Sequence, residues 1–335
     1  MTWRHAAGVI LVSVLWAVPA CSGPADSANG ETERPVTPAE SPSPTTEPTT
    51  EPTAQPTREP TPTPTPTPAE FTPAAAMAVV EHLAGTIGPR EAASPAFAEA
   101  AAYVSERFTR FGYDVTQVDV PVPAGDSWGV AVDSGASANV IADPAGFDPT
   151  RPHVVIGAHL DTVAAAPGAE DNASGVAVLL ELARMAAVEP PPVPVRFIAF
   201  GAEEPRGEGD DLHHFGSQQY VRELPEARRQ AIRAMVALDR VGVAADHVPV
   251  CTGGLGTTAV RSALVDAAAA VDIPVQECEN RASDHWSFEK ASIPAARLGS
   301  IPFAGYHSPD DVPSVVDPGQ LNRVGNITWA WLQRQ

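Results

Sequence analysis

Glu203 and Glu204 stand side by side in FGAEEPRGEG, where an apolar run ends. Adjacent carboxylates repel, and the end of a buried strand is a costly place to desolvate either one. On an extended chain neighbouring side chains point in opposite directions, so one could bind a cation while the other faces a water held by that cation. Exposed surface charge is the plain alternative. The same question recurs along the chain. HVVIGAHLDTV carries His159 and Asp161 at strand period two, where Asp161 can accept the second ring N–H of His159 and raise its basicity as a metal ligand. GAEDNASGV puts Asp171 just before a helix starting near Asn172, where a carboxylate also makes a good cap. ALDRVG ends a further run in Asp239, and GYHSPDD places Tyr306 beside His307. Each residue alone has a bland reading. Together, histidines and carboxylates at successive run ends make a nitrogen and oxygen donor set suited to zinc or another first-row divalent ion. A cation would also relieve the repulsion that makes each carboxylate odd by itself.

Such a set converges only if the runs are neighbouring strands. HVVIGAH, VRFIAFGA and AMVALD are short, continuously apolar runs of the kind covered on both faces. NASGVAVLLELARMAAV between the first two reads as a helix, and HHFGSQQYVRELP supplies helix before the third. AAAMAVVEHLAGTIG and SPAFAEAAAYVSERFTRFG read as amphipathic helices, followed by strands in YDVTQVDVPVP and SANVIADPAG. VPVCTGG, a helix over 255–271, IPVQECE, IPAARLGS and a closing helix from Pro318 continue the alternation. Strands alternating with helices predict an α/β chain with a largely parallel sheet between helical layers, and ligands collect beyond the carboxyl ends of such strands.

The ordered set AHLDTV, GAEDNASGV, FGAEE, ALDRVG and YHSPDD, spanning residues 75–335, resembles the co-catalytic dizinc aminopeptidases. These are secreted bacterial zinc exopeptidases of peptidase clan MH, related to the glutaminyl cyclases. The resemblance implies a three-layer α/β/α sandwich with a mixed, mainly parallel central sheet. It implies two Zn2+ ions bridged by Asp171, with His159 and Asp239 completing one and Glu204 and His307 the other. It makes Glu203 the general base, gives Tyr306 a hydrogen bond to the tetrahedral oxyanion, and leads one to expect a cis peptide after Asp171. Peptide substrates follow, cleaved at their N-termini, in a protein expected to be monomeric. Asp284, in ASDHWSF, is expected behind Asp239 rather than on a metal. After Glu204 the family usually reaches Gly-Ser within a few residues, whereas PRGEGDDLHHF intervenes here before Gly216 and Ser217. Longer connections at this point also occur in the glutaminyl cyclases, which keeps pyroglutamyl formation as an alternative. A non-catalytic surface binding module is a third reading. His213 and His214, within the insertion, are expected in a solvated loop.

Residues 1–20 combine a short basic start with AAGVILVSVLWAVPA and read as an export signal. VPAC places Cys21 in a lipobox-like context, which predicts a lipoprotein signal peptide and lipidation of Cys21, with simple secretion the alternative. The expected location is the outer face of the cell membrane, held by the lipid anchor alone. Residues 21–72 are the anchor cysteine and a Pro/Thr-rich linker; proline fixes φ and lacks an N–H, so alternating Thr-Pro stays extended and buries nothing. Residues 73–335 are then the catalytic domain. A formal charge of -20 argues against nucleic-acid partners, which need clustered Lys and Arg. Of three cysteines, Cys251 and Cys278 remain once Cys21 is set aside, and in an exported chain they are expected to pair. TGGLGTT lacks the lysine of a phosphate loop, and the NIT at Asn326 falls in the closing helix.

Overall fold

A computed structural model describes residues 69–335. The expected signal peptide, Cys21 and the linker up to residue 68 lie outside the described residues.

The three apolar runs form β5 (His153–His159), β6 (Val195–Phe200) and β7 (Ile232–Leu238), buried at every position except Arg233. Their side chains alternate between two cores. Val154, Ile156, Phe197, Val236 and Leu238 join one apolar cluster, while Val155, Ile198, Phe200, Met235 and Ala237 join the other. Continuous burial with period-two division is what a strand covered on both faces requires. The first cluster is closed by α1 (Pro73–Val80), α2 (Pro95–Arg110), α3 (Ser174–Val188), α6 (Ala259–Ala269) and α8 (Pro318–Leu332). The second is closed by α4 (Phe215–Glu223) and α7 (His285–Lys290), with the short α5 (Glu226–Ala231) leading into β7.

The remaining strands are β1 (Asp114–Val122), β2 (Gly125–Ser127), β3 (Val130–Val132), β4 (Gly135–Asp143), β8 (Val248–Thr252), β9 (Val275–Glu279) and β10 (Ala295–Leu298). The eight-stranded sheet runs β1-β4-β6-β5-β7-β10-β8-β9. Its centre, β6-β5-β7-β10, is parallel; β4 and β8 join antiparallel, which makes the sheet mixed. After β5 the chain crosses through α3 to β6 on one side, then through α4 and α5 to β7 on the other. The order therefore reverses at β5, and a crevice opens beyond its carboxyl end. Cys251 on β8 and Cys278 on β9 face each other in register and form a disulfide that ties down the edge strand.

Two local departures from expectation matter. The helix expected over AAAMAVVEHLAGTIG ends as α1 at Val80 and continues as wider turns over Glu81–Ile87. The β2–β3 hairpin is an addition to the expected elements; its tip, Trp128–Gly129, turns where the Gly129 N–H donates to Asp126 Oδ1 at 2.7 Å.

Candidate metal centre

Because β6, β5 and β7 are neighbours, the residues at and beyond their carboxyl ends share one crevice. His159 ends β5, Glu203 and Glu204 follow β6, and Asp239 follows β7. His159 donates from Nδ1 to the Asp161 carbonyl at 3.2 Å. A carbonyl can only accept, so in the neutral ring Nε2 keeps its lone pair. That nitrogen lies 3.1 Å from Asp171 Oδ1 and 3.7 Å from Asp239 Oδ1. The other Asp171 oxygen, Oδ2, lies 3.2 Å from His307 Nε2, which is also 3.1 Å from Glu204 Oε2. One carboxylate thus has an oxygen on each of two histidine–carboxylate sets. Ligand atoms of His159, Asp171 and Glu204 all lie within 4.8 Å of one another, and so do those of His159, Glu203 and Asp239.

Asp171 is free to face both ways because its neighbours take over the local bonding. The cap-like bond comes from Asn172, whose Oδ1 accepts from Gly175 N at 2.9 Å and Arg240 N at 3.2 Å, while its Nδ2 donates to the Leu238 carbonyl. A Cβ at Gly175 would collide with that carbonyl, so glycine lets α3 begin against β7. Asp311 accepts from the N–H groups of Glu170 and Asp171 at 2.7 and 3.1 Å. The Asp171–Asn172 peptide is cis. Arg90, fully buried, clamps the preceding loop through the Leu160, Pro167 and Gly168 carbonyls.

Three expectations change. The Asp161 carboxylate lies beside the His159 ring but not in hydrogen-bond reach: Oδ1 is 3.8 Å from Nδ1, and the two oxygens accept from Glu203 N at 3.0 Å and Glu204 N at 3.1 Å. Asp161 thereby sets the glutamate pair, and its backbone carbonyl sets the histidine. Asp284 is buried near Glu203 and His214 and makes no hydrogen bond to Asp239; Arg297 Nη2 takes that place, 3.1 Å from Asp239 Oδ1. His214 is not solvated. It is buried, and its Nε2 lies 3.1 Å from Glu203 Oε1.

The insertion that carries His214 is held down along its length. Arg206 donates to the Pro123 and Asp133 carbonyls at 2.6 and 2.7 Å and pairs with Glu91, fastening the insertion to the base of the β2–β3 hairpin. Trp286 Nε1 donates to Asp210 Oδ2 at 2.9 Å, and His214 N returns to the Glu203 carbonyl at 2.8 Å. The hairpin tip meets the site from above, with Trp128 edge-on to His307 at 4.4 Å between ring centroids. Tyr306 stacks on His307 at 3.8 Å, and the Arg240 guanidinium covers the tyrosine ring at 4.2 Å. Of the seven non-glycine residues with positive φ among the described residues, Trp128, Ala202, His214, Arg240 and His307 all line or adjoin this crevice. Such conformations cost roughly 1–3 kcal/mol each and persist where surrounding structure enforces them. No composition or periodicity signal marks Trp128, Arg240, Arg297 or Asp311; the turn glycine after Trp128 was the one local hint.

Electrostatics test the donor set. Burial pushes Glu203 up to about 8 despite His159, with Asp239 and Asp171 adding to the shift. Burial likewise pushes Glu204 up to about 8, with Asp171 adding and His307 opposing. Burial also disfavours the Asp239 charge, yet Arg297 and His159 hold that carboxyl down to about 2. Glu204 Oε1 is buried without a partner. Crowded, desolvated carboxylates interleaved with imidazole nitrogens are a poor self-contained network and a good fit to divalent cations. The crevice they share is about 120 Å³. A larger groove of about 840 Å³ lies at the opposite edge, near the amino ends of β5, β6 and β7, away from this cluster.

Fold and site together define an α/β/α protein with a metal-capable centre at the topological switch of its sheet. The chain belongs to peptidase family M28, whose model matches residues 139–332. It is 32% identical over 187 residues to aminopeptidase YwaD of Bacillus subtilis, covering 53% of this chain and 40% of that protein. The chain spans about half, or less, of the length of curated relatives it matches. Among solved structures, BSAP, a zinc aminopeptidase from Bacillus subtilis, superposes with a TM-score of 0.70 at 19% identity, covering 79% of this chain and 95% of that one. A glutaminyl cyclase of Bacteroides thetaiotaomicron superposes with a TM-score of 0.68 at 20% identity, covering 79% and 99%. At these identities the likeness is one of fold, and it includes the mixed sheet.

Proposed function

We propose that this chain is a metal-dependent aminopeptidase that removes N-terminal residues from peptides with two divalent ions, Zn2+ by preference. The observation that carries the reading is the division of the Asp171 carboxylate between His159 and His307. His159, Asp239 and one Asp171 oxygen would hold one ion; His307, Glu204 and the other oxygen would hold the second. When bound, such ions act as Lewis acids, lowering the pKa of a water and polarising a scissile carbonyl.

The chain's own residues supply the rest. Glu203 is fixed by its N–H bond to Asp161 and by His214 on Oε1, which leaves its second oxygen to take a proton from the attacking water and pass it to the leaving amine. His214 is neutral in this role, since burial pushes it down to about 4. Tyr306 stays protonated, because burial beside the carboxylates raises its phenol, so it remains a donor for a developing oxyanion. The acidic crevice favours a free α-ammonium, consistent with attack at N-termini. Resemblance to aminopeptidases by name and family supports this reading. Export, lipidation at Cys21, the 21–72 linker and a monomeric state complete the proposal as expectations from the sequence.

The superposition on a glutaminyl cyclase favours a second reading, cyclisation of N-terminal glutamine. Mass spectrometry separates the two. Peptides with free and blocked N-termini are incubated with the zinc-loaded wild type and with Glu203→Ala. Loss of one residue from free N-termini, abolished in the variant, is expected; a mass loss of ammonia from glutaminyl peptides without cleavage would replace the peptidase reading. No change in any peptide would overturn both and favour a binding module.

A further inference from the structure

The crevice contains two arginines, and they are used differently. Arg297 is committed: its Nη2 pairs with Asp239 at 3.1 Å and its Nη1 donates to the Ala282 carbonyl at 2.6 Å. Arg240 forms no ion pair and no side-chain hydrogen bond among the described residues, and its Nε is buried without a partner. Its position is nevertheless set. The backbone is held at φ 55 with the N–H on Asn172, and the guanidinium carbon lies over the Tyr306 ring, 4.2 Å from its centroid. A guanidinium carries its N–H donors around the edge of its plane, and two of them match a carboxylate in two-point geometry. Half-buried and, among the described residues, without an acceptor, it is poised to bind one.

We infer that Arg240 is the specificity residue of this site and that it recognises a substrate carboxylate. The inference rests on the peptidase reading and supplies its substrate class. Arg240 directly follows Asp239, so the recognised group lies near the reacting atoms. Two sources fit that reach: the acidic side chain of an N-terminal Asp or Glu, or the free α-carboxylate of a dipeptide. Held over the Tyr306 ring, the guanidinium pairs with neither Asp171 nor Asp239.

The test compares, on the zinc-loaded enzyme, Glu-Ala amide with Gln-Ala amide for the side-chain source, and Ala-Ala with Ala-Ala amide for the α-carboxylate source. Wild type is expected to favour the carboxylate member of one pair by about tenfold or more in kcat/KM, the scale of a charge-assisted hydrogen bond. In Arg240→Gln that ratio falls towards one, chiefly through KM, and Arg240→Lys restores part of it. If Arg240 only clamps Tyr306, both members of each pair lose rate together and the ratios stay put, which overturns the inference. A wild-type preference for the neutral member of both pairs overturns it as well. Calorimetric binding of free glutamate against glutamine, to wild type and Arg240→Gln, requires no turnover. If hydrolysis is absent but glutamate binds more tightly than glutamine in an Arg240-dependent way, the peptidase reading fails and the carboxylate site stands. Equal binding, in the absence of any ratio in hydrolysis, removes the site. Thermal melting of each variant reports whether it is folded.

Discussion

His159, Asp171 and Asp239, on the floor of the crevice, are 1%, 5% and 3% exposed, whereas Trp128 and Tyr306 on its wall are 56% and 37% exposed. The floor is set by the ends of adjoining strands and by buried partners such as Asp161, Asp311 and Arg297. The wall comes from a two-stranded hairpin, an inserted loop and the 300–308 loop, fastened to one another by Arg206 and by ring stacking. A floor held by a buried sheet fixes ligand positions that loops alone could not hold. A wall of half-exposed aromatics can vary what is admitted without disturbing those ligands. On this view the reaction belongs to the floor and selection to the wall.

The largest effect is expected at Glu203. Glu203→Gln keeps the shape and the His214 contact but cannot take a proton, so kcat is expected to fall about 10²–10⁴-fold with KM little changed. Peptide hydrolysis by the zinc-loaded variant measures this, and retention of full kcat would remove Glu203 as base. Asp161 touches no substrate, yet it belongs to the floor because it accepts from both glutamate N–H groups. Asp161→Asn should weaken metal affinity or activity by about 10–100-fold, as loss of partners behind ligands does. Zinc titration with a competing chelator reads the affinity directly, and an unchanged value would assign Asp161 to folding alone.

The disulfide at the sheet edge should separate stability from chemistry. Cys251→Ser with Cys278→Ser is expected to cost about 2–4 kcal/mol in denaturant unfolding, with kcat/KM kept at temperatures where the variant is folded. A loss of kcat larger than the loss of folded fraction would show that the edge supports the floor. The wall gives the smaller kinetic effect. Trp128→Ala opens the roof over His307 and should raise KM by roughly tenfold or less with kcat nearly unchanged, the pattern of lost uniform binding. A drop in kcat with KM unchanged would place Trp128 on the floor.

Folding stability depends on pH through His285. Burial, aided by Arg297, pushes its imidazole down from 6.5 to about 3, and its Nε2 donates to the Asn280 carbonyl at 2.7 Å. The unfolded chain takes up this proton near 6.5 and the folded chain only near 3. Between those values the unfolded state binds more protons, so stability is full above 6.5 and is lost as pH falls, by at most about 1.4 kcal/mol per unit. His285→Phe should flatten that limb of the unfolding free energy against pH; an unchanged slope would assign it to other groups.

Much of the floor was legible in the linear chain. His159, Glu203, Glu204 and Asp239 each follow or end an apolar run of strand length, and α/β chemistry places them at one edge. The wall was not. Trp128 stands in a stretch with no sustained alternation, and a hairpin of three-residue strands leaves almost no period-two signal. His214 read as loop because its burial depends on Arg206 reaching the hairpin 83 residues earlier at Pro123. Strand period puts Asp161 on the same side as His159 but does not tell which N–H groups its carboxylate meets, and those prove to be the Glu203 and Glu204 amides.

Sequence alone determined that this chain has strand-end histidines and carboxylates in the order of an M28 peptidase, because run length, burial pattern and donor type are local properties. It also raised the problem of the adjacent glutamates. Tertiary structure decided how that pair is divided. Glu204 faces His307, Glu203 faces His214, and Asp161 secures both backbones from another strand end. It decided too that, among the described residues, Arg240 has no acceptor while Arg297 has several. Hydrogen-bond partners this far apart in the chain are chosen by packing, and no spacing along the sequence encodes which of two arginines will be left free.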